Sequence, residues 1–195
     1  MELGSVIDPA LVARCRAIAD AWEALAHGPA VPTYASVLLR FDPTRLSPAD
    51  AEADAARVAA TDAATFGETA RVIEIPTRYE GPDLAETAAL SDLSTHELVK
   101  LHSGREYRAF FLGFLPGFAY CGTLDPRIVA PRLERPRERV PAGSVAIADS
   151  QTSVYPLDSP GGWRLIGRTE MPLFDPAKET PSLIVPGDRV RFVPL

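Results

Sequence analysis

Tyr107-Arg-Ala-Phe-Phe-Leu-Gly-Phe-Leu-Pro-Gly-Phe-Ala-Tyr120 carries six aromatic side chains in fourteen residues. Downstream, Val140-Pro-Ala-Gly-Ser-Val-Ala-Ile-Ala-Asp-Ser-Gln-Thr-Ser-Val-Tyr-Pro156 and Ser159-Pro-Gly-Gly-Trp-Arg-Leu-Ile-Gly-Arg-Thr169 break short β-branched runs with proline and glycine. Glycine reaches backbone angles that other residues resist, and proline fixes φ and removes a donor. A chain that concentrates both beside so many rings is shaping a rigid surface, and function is expected there. Gly113-Phe-Leu-Pro-Gly-Phe118 suits neither strand nor helix. It reads as a loop presenting rings beside bare backbone, suited to a ligand or a partner chain, with a packed barrel corner as the plainer alternative.

Outward from this stretch, the helical period is absent from Arg108 onward. Short runs at 109–114, 143–148, 153–155, 163–166 and 189–193 are separated by Pro and Gly, the pattern of a β-barrel or sandwich. Phe110 and Phe111 are consecutive, so at least one points away from a barrel's interior. Pro186-Gly-Asp188 is a turn before the last strand. Towards the N-terminus the pattern changes. Asp8-Pro9 starts a helix with Leu11, Cys15, Ile18, Trp22 and Leu25 on one face, ended by Gly28-Pro29. A β-rich run at 34–41, a second helix from Ser47-Pro48 to about Thr65, and a strand at 71–76 follow. Two short helices at 83–90 and 94–102 come next, the second opened by a Ser94/Glu97 capping box. The fold class is therefore α+β: a small α/β domain over residues 1–80, then a β-barrel domain over 81–195.

The 195 residues allow a sizeable core. A net charge of −6 argues against a general nucleic-acid binder, which needs a basic face. No apolar run approaches the ~20 residues of a membrane helix, and no signal peptide is read. Cys15 and Cys121 are isolated, which points to free thiols in a reducing cytoplasm. Cys15 falls on the helix stripe and is read as buried. Cys121 is read as inert.

There is no P-loop, no dinucleotide fingerprint and no nucleophile elbow. The three His are dispersed without metal-ligand spacing, so no protein-bound metal is expected. His102, in a last helical turn, is either a cation favoured by the helix dipole or a polar group at the mouth of the aromatic stretch. Arg127, Arg132, Arg135, Arg137 and Arg139 alternate with Glu and Pro, as in a solvated loop; the alternative is an anion-reading arm. Gly161-Gly162 is a possible anion nest, with Arg168 supplying charge and Thr169 or Gln151 directional hydrogen bonds.

At these residues the chain resembles a known family. Gly113-Phe-Leu-Pro-Gly-Phe-Ala-Tyr120, Val140-Pro-Ala-Gly-Ser144, Gln151-Thr, Tyr155-Pro and Ser159-Pro-Gly-Gly-Trp-Arg-Leu-Ile-Gly-Arg-Thr169 are similar to allophanate hydrolase subunit 1. That family includes the B-type subunit of bacterial 5-oxoprolinase and a sporulation-kinase inhibitor. The resemblance covers most of the chain and implies a cyclophilin-like barrel for the C-terminal half. It implies one component, inactive alone, of an ATP-dependent cyclic-amide hydrolase that converts 5-oxoproline to glutamate. ATP, with Mg, would be the co-substrate. The implied partners are a second cyclophilin-like protein, the C-type subunit of 5-oxoprolinase or allophanate hydrolase subunit 2, and a separate A-type subunit. The family's residues carry over to this chain, but their individual roles do not come with the resemblance. Of them, His102, Gln151 and Arg168 are assigned here as the catalytic set, and Phe114, Pro116, Gly117, Phe118, Tyr120, Pro141, Gly143, Ser144, Tyr155, Pro160, Gly161, Gly162, Trp163 and Thr169 as the binding set. Two other activities within reach of the resemblance are inhibition of a histidine kinase through the Phe-Leu-Pro-Gly-Phe loop and allophanate hydrolysis in urea breakdown. The sequence departs from the family at Glu2-Leu-Gly4, where the leading strand is reduced. It departs again at Ala146-Ile-Ala-Asp-Ser150 and Ser153, where glycines are usual, and at Cys121, where Leu is common.

Overall fold

The computed structural model describes residues 1–4, 8–60 and 71–195. Two compact units divide the chain, Met1–Glu68 and Thr69–Leu195.

In the first unit, helix α1 (Pro9–Ala24) starts where expected, with the Asp8 carboxylate accepting from Ala10 N and Leu11 N. Cys15, Ile18 and Trp22 on its stripe are buried and form a core with Val37, Ala51 and Val58. Helix α2 (Pro48–Ala59) is capped by the Ser47 side chain; the extension expected to about Thr65 falls outside the described residues. Strands β1 (Ala30–Pro32) and β2 (Val37–Leu39) pair antiparallel. The strand expected at 71–76 forms as β3 (Val72–Thr77), but it does not complete the first domain. It pairs in parallel with β11 (Arg189–Pro194), the last strand of the chain.

The second unit is a near-closed mixed barrel. To β3 and β11 it adds β4 (Glu106–Leu112), β5 (Ala119–Gly122), β7 (Ser144–Ala148), β8 (Gln151–Val154) and β10 (Arg164–Arg168). Their order is β10-β7-β8-β5-β4-β11-β3. A two-way bridge then joins the ends of the sheet: Arg78 N donates to Arg168 O and Arg168 N to Arg78 O, both at 2.9 Å. Gly81 N and Asp83 N continue along β10, donating to Ile166 O and Leu165 O. A ring of strands has no free edge to manage. Its core includes Ile75, Tyr107, Cys121, Val145, Ile147, Ile166 and Phe192. Helix α3 (Leu84–Ala89) lies against β10 and helix α4 (Thr95–Ser103) against β11. The Ser94/Glu97 capping box is complete. A separate two-stranded sheet, β6 (Arg137–Val140) with β9 (Ser159–Gly161), flanks the barrel's aromatic end.

Candidate functional site

The turn between β4 and β5 is tied tightly. Gly113 N donates to Phe118 O, Phe118 N to Leu115 O and Leu115 N to Gly113 O. Gly117 has φ +80°, and a Cβ there would lie 2.8 Å from Phe174 Cβ, so the position requires glycine. Pro116 sits exposed beside it. This geometry separates the two phenylalanines of the loop. Phe118 is buried among Val140, Tyr155, Trp163 and Leu165. Phe114 is 59% exposed and holds φ +66°, an unfavourable backbone region for a bulky residue and a form of strain that collects at functional sites.

Around Phe118 the rings meet edge to face: Tyr155 at 5.2 Å, Trp163 at 5.4 Å, Tyr120 at 5.0 Å and Phe114 at 5.5 Å between centroids. This cluster walls a cavity of about 260 Å³, completed by Arg132, Pro136, Pro160, Gly161 and Gly162. Eight residues of the sequence-derived binding set therefore converge: Phe114, Phe118, Tyr120, Tyr155, Pro160, Gly161, Gly162 and Trp163. Burial pushes the Tyr120 and Tyr155 hydroxyls above their ordinary pKa, so both are neutral near pH 7. The cavity can hold a small ring against aromatic faces, whereas the buried Tyr155 hydroxyl packs against Gly161. Among the described residues that line it, none is Asp, Glu or His.

Gly161 and Gly162 serve this packing rather than an anion nest. Neither has the positive φ of a nest. Gly161 is extended in β9 opposite Arg137, and a Cβ on it would lie 2.3 Å from Tyr155 Oη.

The Arg-rich run is only in part the solvated loop its composition suggests. Arg137 Nη2 donates at 2.6 Å to Asp83 Oδ1, while Asp83 Oδ2 accepts from Leu165 N at 2.6 Å. Buried Arg164 donates through Nε to Pro131 O and through Nη1 to Glu86 Oε1, both at 2.9 Å. Leu133 N donates to Gly162 O at 2.8 Å. Arg132 stands between those two pinned residues, its guanidinium carbon 5.9 Å from the Trp163 ring centroid. Arg132 and Arg137 lie outside the sequence-derived site sets, although the anion-arm alternative pointed to the run. The deciding signal, Arg164 fixing the main chain at Pro131, is tertiary.

His102 and Gln151 do not join the aromatic cavity. His102 is fully buried between Tyr107 and Phe192. Thr152 Oγ1 donates to Ala146 O, so it accepts from His102 Nε2–H at 2.9 Å; Nδ1 then accepts from Tyr79 O–H at 2.7 Å. Burial lowers its pKa to about 3. The ring is a neutral core bridge, so neither the helix-end cation nor the group at the aromatic mouth describes it. Gln151 is buried where β8 meets Gly122 and Ala148. Cys121 is also buried, its thiol pushed up to about 12, and Cys15 is raised by burial; both are free. Among the described residues no group of three or more His, Cys, Asp or Glu could hold a metal ion, and no helix is long and apolar enough to cross a membrane.

Pro141, Ser144, Arg168 and Thr169 line a second cavity of about 600 Å³, with Glu80, Gly81 and Gly167 among the remaining walls. It shares no lining residue with the aromatic one. Gly143 shapes its edge through a turn at φ +81°, where Gly143 N donates to Tyr155 O and Gly143 O accepts from Thr169 N. The Ser144 hydroxyl donates to Pro141 O at 2.7 Å. Arg168 is exposed and lies 3.9 Å from Glu80 and 3.5 Å from Glu170.

Comparison with known proteins agrees with this architecture. The chain is 56% identical over 127 residues to the 5-oxoprolinase B-type subunit of Escherichia coli O157:H7, covering 64% of this chain and 58% of that protein. It is 48% identical over 126 residues to the protein of the same name from Bacillus subtilis strain 168, covering 63% and 52%. The chain thus spans between half and three fifths of these relatives' length. The crystal structure of the protein TTHA0988 superposes with a TM-score of 0.84 at 39% identity, covering all of this chain and 39% of that one. The model of the carboxyltransferase domain, subdomain C and D, matches residues 1–184, and the chain belongs to that family.

Proposed function

We propose that this chain is the B-type subunit of an ATP-dependent 5-oxoprolinase, which converts 5-oxoproline, ATP and water to glutamate together with a second, C-type subunit. The observation that carries this reading is the 56% identity to a B-type 5-oxoprolinase chain. On the same ground the barrel is read as cyclophilin-like and the protein as cytoplasmic.

The chain's own part in the reaction is to hold the substrate. Pockets for drug-sized ligands measure roughly 300–1,000 Å³; a cavity of about 260 Å³ suits one small ring. Trp163, Phe118 and Tyr155 would confine the lactam and exclude water, while Tyr120 would meet its polar edge with a neutral hydroxyl. With no carboxylate or imidazole among the described lining residues, the cavity lacks its own acid–base pair. An isolated chain is therefore expected to be inactive, with the chemistry completed by the partner. ATP is a co-substrate of that assembly. The donor set around Arg168 does not fit a triphosphate unaided, because one guanidinium faces the Glu80 and Glu170 carboxylates. No step through nucleotide is placed on this chain.

Phe114, exposed and strained at the cavity rim, supports contact with the partner chain, since exposed aromatic anchors dominate interfaces. Co-expression with the C-type subunit should give a stable complex that, once the A-type subunit is supplied, releases glutamate from 5-oxoproline only when ATP is present. A folded, assembled complex that releases none would refute the reading.

A further inference from the structure

We propose that Arg132 is the residue that reads the carboxylate of a small-ring ligand held in the aromatic cavity. The inference rests on the functional reading for its probe, 5-oxoproline, but on the cavity itself for its chemistry.

Arg132 is the only charged side chain among the described residues lining the cavity. Its neighbours hold it in place from both sides: Pro131 O accepts from Arg164 Nε and Leu133 N donates to Gly162 O. The preceding Ala130 O accepts from Asp149 N at 2.7 Å. A long, exposed side chain thus springs from a fixed stem. The guanidinium lies over Trp163, an arrangement that favours a planar cation. Among the described residues its one carboxylate neighbour, Asp149, is 3.7 Å away, with both side chains more than half exposed. Such a pair contributes little and is readily exchanged for a ligand anion. The positive charge of Arg132 also acts on both Tyr120 and Tyr155, where it opposes the effect of burial. A guanidinium fork matches a carboxylate bidentately. One fork above a cavity sized for a single ring selects a ring bearing one carboxylate over a polyphosphate.

The test measures binding to the whole chain by calorimetry, using 5-oxoproline, its neutral counterpart pyrrolidin-2-one, pyrrole-2-carboxylate and inorganic phosphate. Arg132→Gln should weaken 5-oxoproline by roughly tenfold to a hundredfold, the scale of a lost charged hydrogen bond. Arg132→Lys should restore part of that loss, and pyrrolidin-2-one should bind the wild type and the Gln variant alike. Where affinity is too weak for calorimetry, the KM of the assembled enzyme for 5-oxoproline gives the same comparison, with kcat the less affected parameter. Unchanged 5-oxoproline affinity and KM in folded Arg132→Gln would overturn the assignment. So would phosphate competing as well as the carboxylates, or no binding of any carboxylate in either format. If pyrrole-2-carboxylate binds in an Arg132-dependent way while 5-oxoproline does not, the carboxylate assignment stands and the 5-oxoprolinase reading fails.

Discussion

Phe114 and Phe118 are four residues apart in one loop, and the structure assigns them opposite duties. Phe118 is 1% exposed and packs against four other rings. Truncation to Ala should cost ~3–5 kcal/mol of stability, the usual range for a buried aromatic. Phe114→Ala removes an exposed ring from a strained backbone and should leave the denaturation midpoint nearly unchanged while weakening association with the partner. Urea titration and a pull-down on both variants separate the two; equal stability loss would mean that Phe114 is core. His102 makes a second residue-scale prediction. Its folded pKa of about 3 lies below the unfolded value of 6.5. Unfolding therefore takes up a proton between those limits, and stability contributed by the neutral ring is lost as pH falls from about 6.5 towards 3. The slope should approach ~1.4 kcal/mol per pH unit. His102→Gln should remove about one proton from that acid limb, read by chemical denaturation at pH 4 to 7. An unaltered limb would contradict the buried, neutral assignment.

Among the elements, Asp83 clamps three of them at once. Its carboxylate joins Arg137 of β6 to the β10 backbone at Leu165, from the residue at the N-terminal end of α3, whose side chain makes no cap hydrogen bond. Asp83→Ala would leave Arg137 half-buried without its counter-charge, and Arg137 Nη1 already lacks a partner. Breaking such a pair costs ~3–5 kcal/mol, and loss near that size is expected in thermal unfolding. The β6–β9 wall of the aromatic cavity should loosen too, visible as faster amide exchange at Gly161. A change under ~1 kcal/mol would show that the clamp is dispensable. The sequence is legible wherever an element's signal is local: the Asp8 and Ser47 caps, the Cys15–Ile18–Trp22 stripe and the Ser94/Glu97 box all form. It is illegible where pairing overrides propensity. Ser159–Gly161 contains Pro and Gly yet pairs with β6. Ala119–Gly122 is built largely of small residues yet sits between β4 and β8. Val72–Thr77 reads correctly as a strand, but its parallel partner begins 117 residues later, beyond any local pattern.

For the molecule as a whole, the aromatic half of the site is visible as composition, because rings, Pro and Gly in one stretch have few other uses. The division into two cavities is not visible. Arg168 follows Gly162 by six residues, yet the β10 strand between them carries it into a different cavity. Arg132 precedes Trp163 by 31 residues and faces the same cavity. On the proposed function, the aromatic cavity holds the substrate ring. Gly162 is the place to test this, because the atoms nearest a Cβ there, on Pro136 and Leu133 O, lie at 3.6–3.8 Å, ordinary contact distances. Gly162→Leu should fold and assemble, and fill the cavity from its own wall. In the assembled, ATP-supplied enzyme it should raise the KM for 5-oxoproline at least ~10-fold, the scale of a pocket contact turned into a clash. Arg168→Ala, in the other cavity, should leave that KM within about twofold. A folded, assembled Gly162→Leu enzyme with wild-type KM would mean that the substrate ring binds elsewhere.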